Sequence, residues 1–145
     1  MLYIATMQYS EFLLDLFYNL KALYQKNLKF PNVSFQQILA ILMVDNSGMK
    51  MSSLSKKLGI DNSTATRLID GLEEKKLVKR KSGSSDSRVI KVFLTNKGKK
   101  MYNSIELQLE KISYSIETEI DVNSRGEIIE SGISLNWAII KQLNK

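Results

Sequence analysis

The chain has 145 residues, 43% of them apolar and 25% charged, with a formal charge of +6; this is about one domain's worth of ordinary globular composition. Cysteine and histidine are both absent, which excludes thiol catalysis, disulfides, zinc ribbons and every mechanism that needs an imidazole. The longest apolar run, Ile38–Val44, is far short of the roughly 20 residues of a membrane helix. No Lys or Arg precedes Lys21, unlike a signal peptide, so a soluble, cytoplasmic protein without membrane contact is the expectation.

Helical periodicity covers most of the chain. From about Gln8 to Lys29, apolar residues recur at spacings of three and four and fill an arc of about 160° on a wheel. Pro31 and Asn32 interrupt the chain, and Ser34 with Gln37 makes a capping box for a second helix. Asn46-Ser47-Gly48 reads as a turn. A short helix over Ser52–Leu58 and a longer one over Asn62–Lys75 follow, separated by Gly59-Ile60-Asp61. Gly59 suits a positive φ at a helix end, and Asp61 suits an N-cap.

Between Val78 and Leu94 the pattern becomes β-branched, with Ser82-Gly83-Ser84-Ser85 as the turn of a hairpin. Thr95 can cap a long helix to about Ile120. The last helix starts at Ser124, with Glu127 completing a capping box. Its apolar residues form two stripes, Ile128/Leu135/Ile139/Leu143 and Ile129/Ile133/Trp137/Ile140, which span about 200°, twice what one core contact needs. A second copy of the chain would cover the surplus on the first and last helices; the alternative is that both are central core helices.

The charge is concentrated. Residues 50–100 hold 14 Lys/Arg against five acids, so the middle is +9 and the flanks are −3. A basic centre between acidic arms points to a polyanion partner, or else to a solvated lysine-rich face. Pattern favours the former, because short helix, turn, longer helix and basic hairpin make a winged helix-turn-helix. The fold class expected is mainly α with a small β-hairpin wing.

On the longer helix, Ala65, Leu68, Ile69 and Leu72 form a stripe about 100° wide. The opposite face carries Asn62, Ser63, Thr66 and Arg67 first and Asp70, Glu73 and Glu74 afterwards, while Thr64 points partly sideways. Such a helix must enter a major groove by its amino end, where hydroxyl and amide groups meet base edges. Arg67 is the candidate for bidentate recognition of guanine. Lys79, Arg80 and Lys81 would reach phosphates, giving affinity without sequence choice. Arg88, just past the small-residue tip, has the shape for a minor groove, and Asp86 would aim it or brace the hairpin.

These residues resemble a known family. Leu54–Gly59 followed by Ile60-Asp61-Asn62-Ser63-Thr64-Ala65-Thr66-Arg67-Leu68-Ile69-Asp70-Gly71-Leu72 and Glu73–Val78 closely resembles the helix-turn-helix of MarR-type transcriptional regulators. Asp86-Ser87-Arg88 and Leu94-Thr95-Asn96-Lys97-Gly98 resemble their wing signature, D-x-R followed by L-T-x-x-G. The resemblance covers nearly the whole chain as one MarR-type domain over 1–145. It implies an obligate homodimer whose base is built from 1–33 and 96–145, and a DNA-binding lobe over 34–95 with its helix-turn-helix at 52–76 and wing at 78–94. It also implies a ligand-responsive repressor on a pseudo-palindromic double-stranded operator, released by a small aromatic or anionic effector.

Two positions depart from the family pattern: Lys76 replaces a usual glycine, and Gly71 replaces a usual arginine. Lys76 must accept a strained backbone or end the helix differently, at about 1 kcal/mol. Gly71 costs roughly 1 kcal/mol of helix propensity. A winged-helix module for protein or RNA, without operator specificity, is the alternative function. No enzyme and no cofactor are expected. Glu73 and Glu74 diverge by about 100° on their helix, and neither a Gly-rich phosphate loop nor metal-ligand spacing occurs.

Overall fold

A computed structural model describes residues 8–83, 85–86 and 88–145. Contacts divide the chain into two compact units, one running through Gln108 and one over Leu109–Lys145. The first unit begins with α1, Tyr9–Asn27, which stops two residues before the expected end, where the Asn27 amide donates to the Leu23 carbonyl at 2.8 Å. Asn32 then takes a positive φ of 61°. Helix α2, Phe35–Met43, starts with the predicted capping box. Ser34 Oγ accepts from Gln37 N, and Gln37 Oε1 accepts from Ser34 N.

A two-residue strand, β1 (Met49–Lys50), follows the turn and leads directly into α3, Met51–Leu58. The sequence pattern is too short there to announce a strand. Gly59 closes α3 with φ 66°, and the Ile60 N–H returns to the Ser55 carbonyl at 3.1 Å. Asp61 caps α4, Asn62–Glu74, and Ala65, Ile69 and Leu72 from the expected stripe are buried while Leu68 is half-buried.

The end of α4 explains both departures from the family pattern. Lys76 takes φ 60°, its N–H donates to the Glu73 carbonyl, and the Leu77 N–H reaches back to Leu72. This is the paired bonding of a Schellman end, with lysine accepting the left-handed backbone that glycine takes freely, at about 1 kcal/mol. Gly71 lies against α2, where a Cβ would sit 2.8 Å from Gln37 Nε2. Gln37 is buried and also accepts from Lys75 Nζ at 2.7 Å. A long side chain at 71 would have to displace this α2–α4 link.

Strands β2 (Val78–Ser82) and β3 (Ile90–Leu94) form the hairpin, paired from Val78 opposite Leu94 to Ser82 opposite Ile90. The sheet order is β1-β3-β2, all antiparallel. Thr95 caps α5, Asn96–Thr118, by accepting from Gly98 N at 3.0 Å. The same hydroxyl donates to the Lys76 carbonyl at 2.6 Å, and Lys97 Nζ donates to the Lys75 carbonyl. The carbonyls at the end of α4 therefore find their donors at the start of α5, as buried or crowded helix ends require. Gly98 permits this closeness: a Cβ there would lie 1.9 Å from the Leu77 carbonyl oxygen. Ile38, Ile41, Leu54, Ile69, Leu72, Leu77, Val78, Val92 and Ile105 form the core of this unit.

The second unit holds the later part of α5, a short 3-10 turn at Val122–Ser124 and α6, Arg125–Leu143. The expected Ser124/Glu127 capping box does not form. Ser124 already has helical backbone angles from the preceding turn, and Asp121 supplies the side-chain cap instead, accepting from Asn123 N. Arg125 ties the turn to the end of α5 through Glu117 at 3.0 Å and the Ile120 carbonyl. Neither α1 nor α6 has a buried residue within the single chain, so neither serves as a central core helix there.

Two stability measurements follow. Gly98→Ala should lower unfolding stability by about 3 kcal/mol or more in denaturant melts, because the obstructing atom is backbone; an unchanged midpoint would refute the close-approach account. The second concerns Asp61, whose carboxyl is held below the ordinary carboxylate range by hydrogen bonds from the Ser63 and Thr64 hydroxyls. A folded pKa below the unfolded one gives stability that is present above the usual carboxylate pKa and fades as pH falls through it. Asp61→Ala should therefore melt below the native chain at pH 7, with the gap narrowing below about pH 4; a gap independent of pH would contradict this cap.

Candidate nucleic-acid interface

The amino end of α4 is organised around one carboxylate. Asp61 Oδ1 accepts from Thr64 N at 2.8 Å and from Ser63 Oγ at 2.5 Å, while Oδ2 accepts from Thr64 Oγ1 at 2.7 Å. Thr66 Oγ1 donates to the Asn62 carbonyl at 2.8 Å. Asn62 is joined to α3, its Oδ1 accepting from the buried Ser55 hydroxyl at 2.8 Å. Asn62, Ser63, Thr64, Thr66 and Arg67 are all exposed. Among the described residues, no hydrogen bond or ion pair engages the Arg67 side chain.

Of the acids that follow on α4, Asp70 and Glu73 are occupied from the hairpin. Arg80 on β2 donates from Nη1 to Glu73 at 2.5 Å and from Nη2 to Asp70 at 2.6 Å, with a further bond to the Thr66 carbonyl at 3.2 Å. Its backbone N–H also reaches Glu73. Arg80 was expected to reach out to phosphates; in the folded chain its side chain is 24% exposed and its guanidinium bridges α4 to the wing. Lys79 and Lys81 are exposed on either side of it, and Lys81 Nζ lies 5.6 Å from the centre of the Phe93 ring.

At the wing tip, Asp86 braces rather than aims. Its Oδ1 accepts from the Arg88 backbone N–H at 3.0 Å, its carbonyl accepts from Val89 N at 3.1 Å, and Gly83 N donates to the Val89 carbonyl at 2.7 Å. The side chain of Arg88 is exposed and makes no ion pair among the described residues. Ser84 and Ser87, which belong to the expected tip and to the D-x-R signature, lie outside the described residues.

Some of these parts line one space, while Ser63, Thr64, Arg67, Lys79, Lys81 and Asp86 lie outside its lining. A concavity of about 690 Å³ is lined by Asn62 and Thr66 of α4, Arg80 and Arg88 of the wing, and Lys50 and Ser52 at the start of α3. The polar end of α4 and the wing arginine thus border the same opening. Lys50 and Ser52 were not singled out from sequence; Lys50 entered only as part of the basic total, and the strand that places it spans two residues. The aromatic side chains of Phe17 and Tyr24 on α1 border a second opening. With Leu20, Lys21, Phe35 and Leu39 they line a groove of about 370 Å³ between α1 and α2.

Comparison with known proteins agrees with this architecture. Residues 32–90 match the MarR family model. The uncharacterized HTH-type transcriptional regulator YybA of Bacillus subtilis (strain 168) is 23% identical over 130 residues, spanning 82% of this chain and 85% of that protein. A MarR transcriptional regulator from Methanosarcina mazei Go1 superposes with a TM-score of 0.78 at 26% identity, covering 90% of this chain and 98% of that one. Streptococcus pneumoniae FabT, solved in complex with DNA, superposes with a TM-score of 0.75 at 21% identity, covering 92% and 96%. YybA and the Methanosarcina mazei protein are transcriptional regulators. By its match over residues 32–90 and by its fold, the chain is similar to the MarR family of winged-helix transcriptional regulators.

Proposed function

We propose that two copies of this chain bind a pseudo-palindromic DNA operator in the cytoplasm and repress transcription until a small ligand releases them. The observation that carries this function is the shared concavity, in which the amino end of α4 and the exposed Arg88 border one opening. A duplex meeting that opening would take α4 into a major groove by its uncharged polar end and the wing into the neighbouring minor groove. Asn62, Ser63, Thr64, Thr66 and Arg67 would face base edges, Lys79 and Lys81 phosphates, and Arg88 the minor groove. Asp86 would hold the tip in shape. FabT, a relative in fold, is bound to DNA in its own structure.

Pairing of two chains is supported by the apolar surface left open on each. On α6, Ile129, Ile133 and Trp137 are 63%, 54% and 60% exposed, and on α1 Tyr9 and Phe17 are 80% and 57% exposed. Scattered apolar residues are normal on a surface, but contiguous faces of this kind mark an interface. Two copies would bring two reading heads to one duplex, which is the arrangement that a palindrome requires. The groove by Phe17 and Tyr24 would take the ring of an aromatic effector, with Lys21 available to an anionic group.

Binding isotherms on an enriched duplex and on its scrambled counterpart test this function. Arg67→Ala and Arg88→Ala should each weaken the enriched duplex by about 1–3 kcal/mol while the protein stays folded. Arg80→Ala should behave differently, because Asp70 and Glu73 already offset its charge. Thermal stability should fall, and the salt dependence of binding should change less than it does for Lys79→Ala. Equal affinity for enriched and scrambled duplexes would reject operator recognition and favour an interaction module instead.

A further inference from the structure

A hydroxyl has one proton to give and two lone pairs that accept. At the amino end of α4, three of the exposed hydroxyls have their proton direction dictated by a partner that can only accept. Ser63 Oγ and Thr64 Oγ1 each face an oxygen of Asp61, at 2.5 and 2.7 Å, and Thr66 Oγ1 faces the Asn62 carbonyl at 2.8 Å. An ionised carboxylate and a peptide carbonyl have no hydrogen to offer, so all three protons point into the protein. What remains outward on each oxygen is a lone pair.

We infer that Asp61, by taking the hydroxyl protons of Ser63 and Thr64, makes the reading surface of α4 an acceptor surface and so restricts which base edges it can pair with. In a major groove only the adenine N6 and cytosine N4 amino groups donate hydrogen bonds, whereas guanine N7 and O6 and thymine O4 accept. Phosphate oxygens also accept. The hydroxyl row therefore pairs with amino edges and is repelled by guanine, thymine and backbone edges. Arg67, which carries donors only, reads the opposite class. Asp61 touches no base in this scheme; it is a positioning residue that sets specificity through its two neighbours. The inference rests on the entry of α4 into a major groove proposed above.

The test is selection of duplexes from a random pool by the native protein, Asp61→Asn and Thr66→Val, each checked by its thermal melt. Asparagine is as good a helix cap as aspartate, so the first variant stays folded. Its Oδ1 remains on the Thr64 N–H, which brings the amide nitrogen, now a donor, against Thr64 Oγ1. The Thr64 proton must then turn outward. At one position of the half-site Asp61→Asn should exchange an amino-bearing edge for guanine or thymine, leaving alone the position that Thr66→Val relaxes. In the native half-site, replacing the contacted adenine by purine, or cytosine by 2-pyrimidinone, should weaken binding about three- to tenfold.

An Asp61→Asn protein that selects the native half-site base for base overturns the assignment. So does undiminished affinity for the amino-deleted duplexes. A native protein that enriches no sequence removes operator recognition itself, and the assignment with it; the two failures are thus told apart by the native selection alone.

Discussion

The joint between α4 and β2 is the constraint on which the DNA-facing surface depends. Helix α4 docks on the core by a narrow stripe, Ala65, Ile69 and Leu72, which fixes its position but leaves its outer face heavily acidic in the second half. Arg80 meets Glu73, Asp70 and the Thr66 carbonyl at once. A single exposed ion pair contributes little to stability. One guanidinium held by three oxygens, on a side chain only 24% exposed, is a different case, because its five donors are fixed in a plane and its partners are fixed by helix geometry. The result is that helix and wing are tied together and that the charge of Asp70 and Glu73, acids able to repel phosphates, is partly offset from within the chain.

The second fixed point lies just past the carboxyl end of the same helix. The left-handed turn at Lys76, the Leu77 carbonyl, the Thr95 hydroxyl and the missing Cβ of Gly98 meet within one knot of hydrogen bonds. This gives a physical reason for the L-T-x-x-G signature. Threonine supplies a donor to the end of α4 and an acceptor to the start of α5, and glycine lets the two backbones touch. Strand β2 leaves one joint and strand β3 returns to the other, so the paired part of the hairpin is held at its base against α4.

The parts of this fold that were legible in the sequence are those decided within four residues. The Ser34/Gln37 box, the left-handed Gly59, the Asp61 cap and the Thr95 cap each depend on a side chain meeting its own local backbone, and each forms as the spacing implies. Ser124 had the same local signal and failed, because a preceding 3-10 turn brought it in already helical. Long-range choices were not legible. A basic strand residue such as Arg80 looks free until two acids ten and seven positions earlier on a helix are folded against it. Asp86 beside Arg88 suggests an ion pair by type, whereas the backbone of the turn takes the carboxylate first. Strand β1 is too short to carry a period.

The surface charge and the two apolar helices pull in complementary directions. A basic middle attracts a polyanion at long range with little sequence choice, while choice has to come from the few uncharged groups at the start of α4. In the proposed dimer, each chain contributes one such set, and the spacing between sets supplies discrimination that neither copy has alone. Dimethyl sulfate footprinting on a duplex selected by the protein tests that arrangement most directly, since the reagent marks guanine N7 in the major groove and adenine N3 in the minor groove. The expected pattern is two patches of guanine protection about 10 base pairs or a multiple apart, each flanked by protected adenines and related by two-fold symmetry. A single patch, or protection confined to one groove, would contradict it.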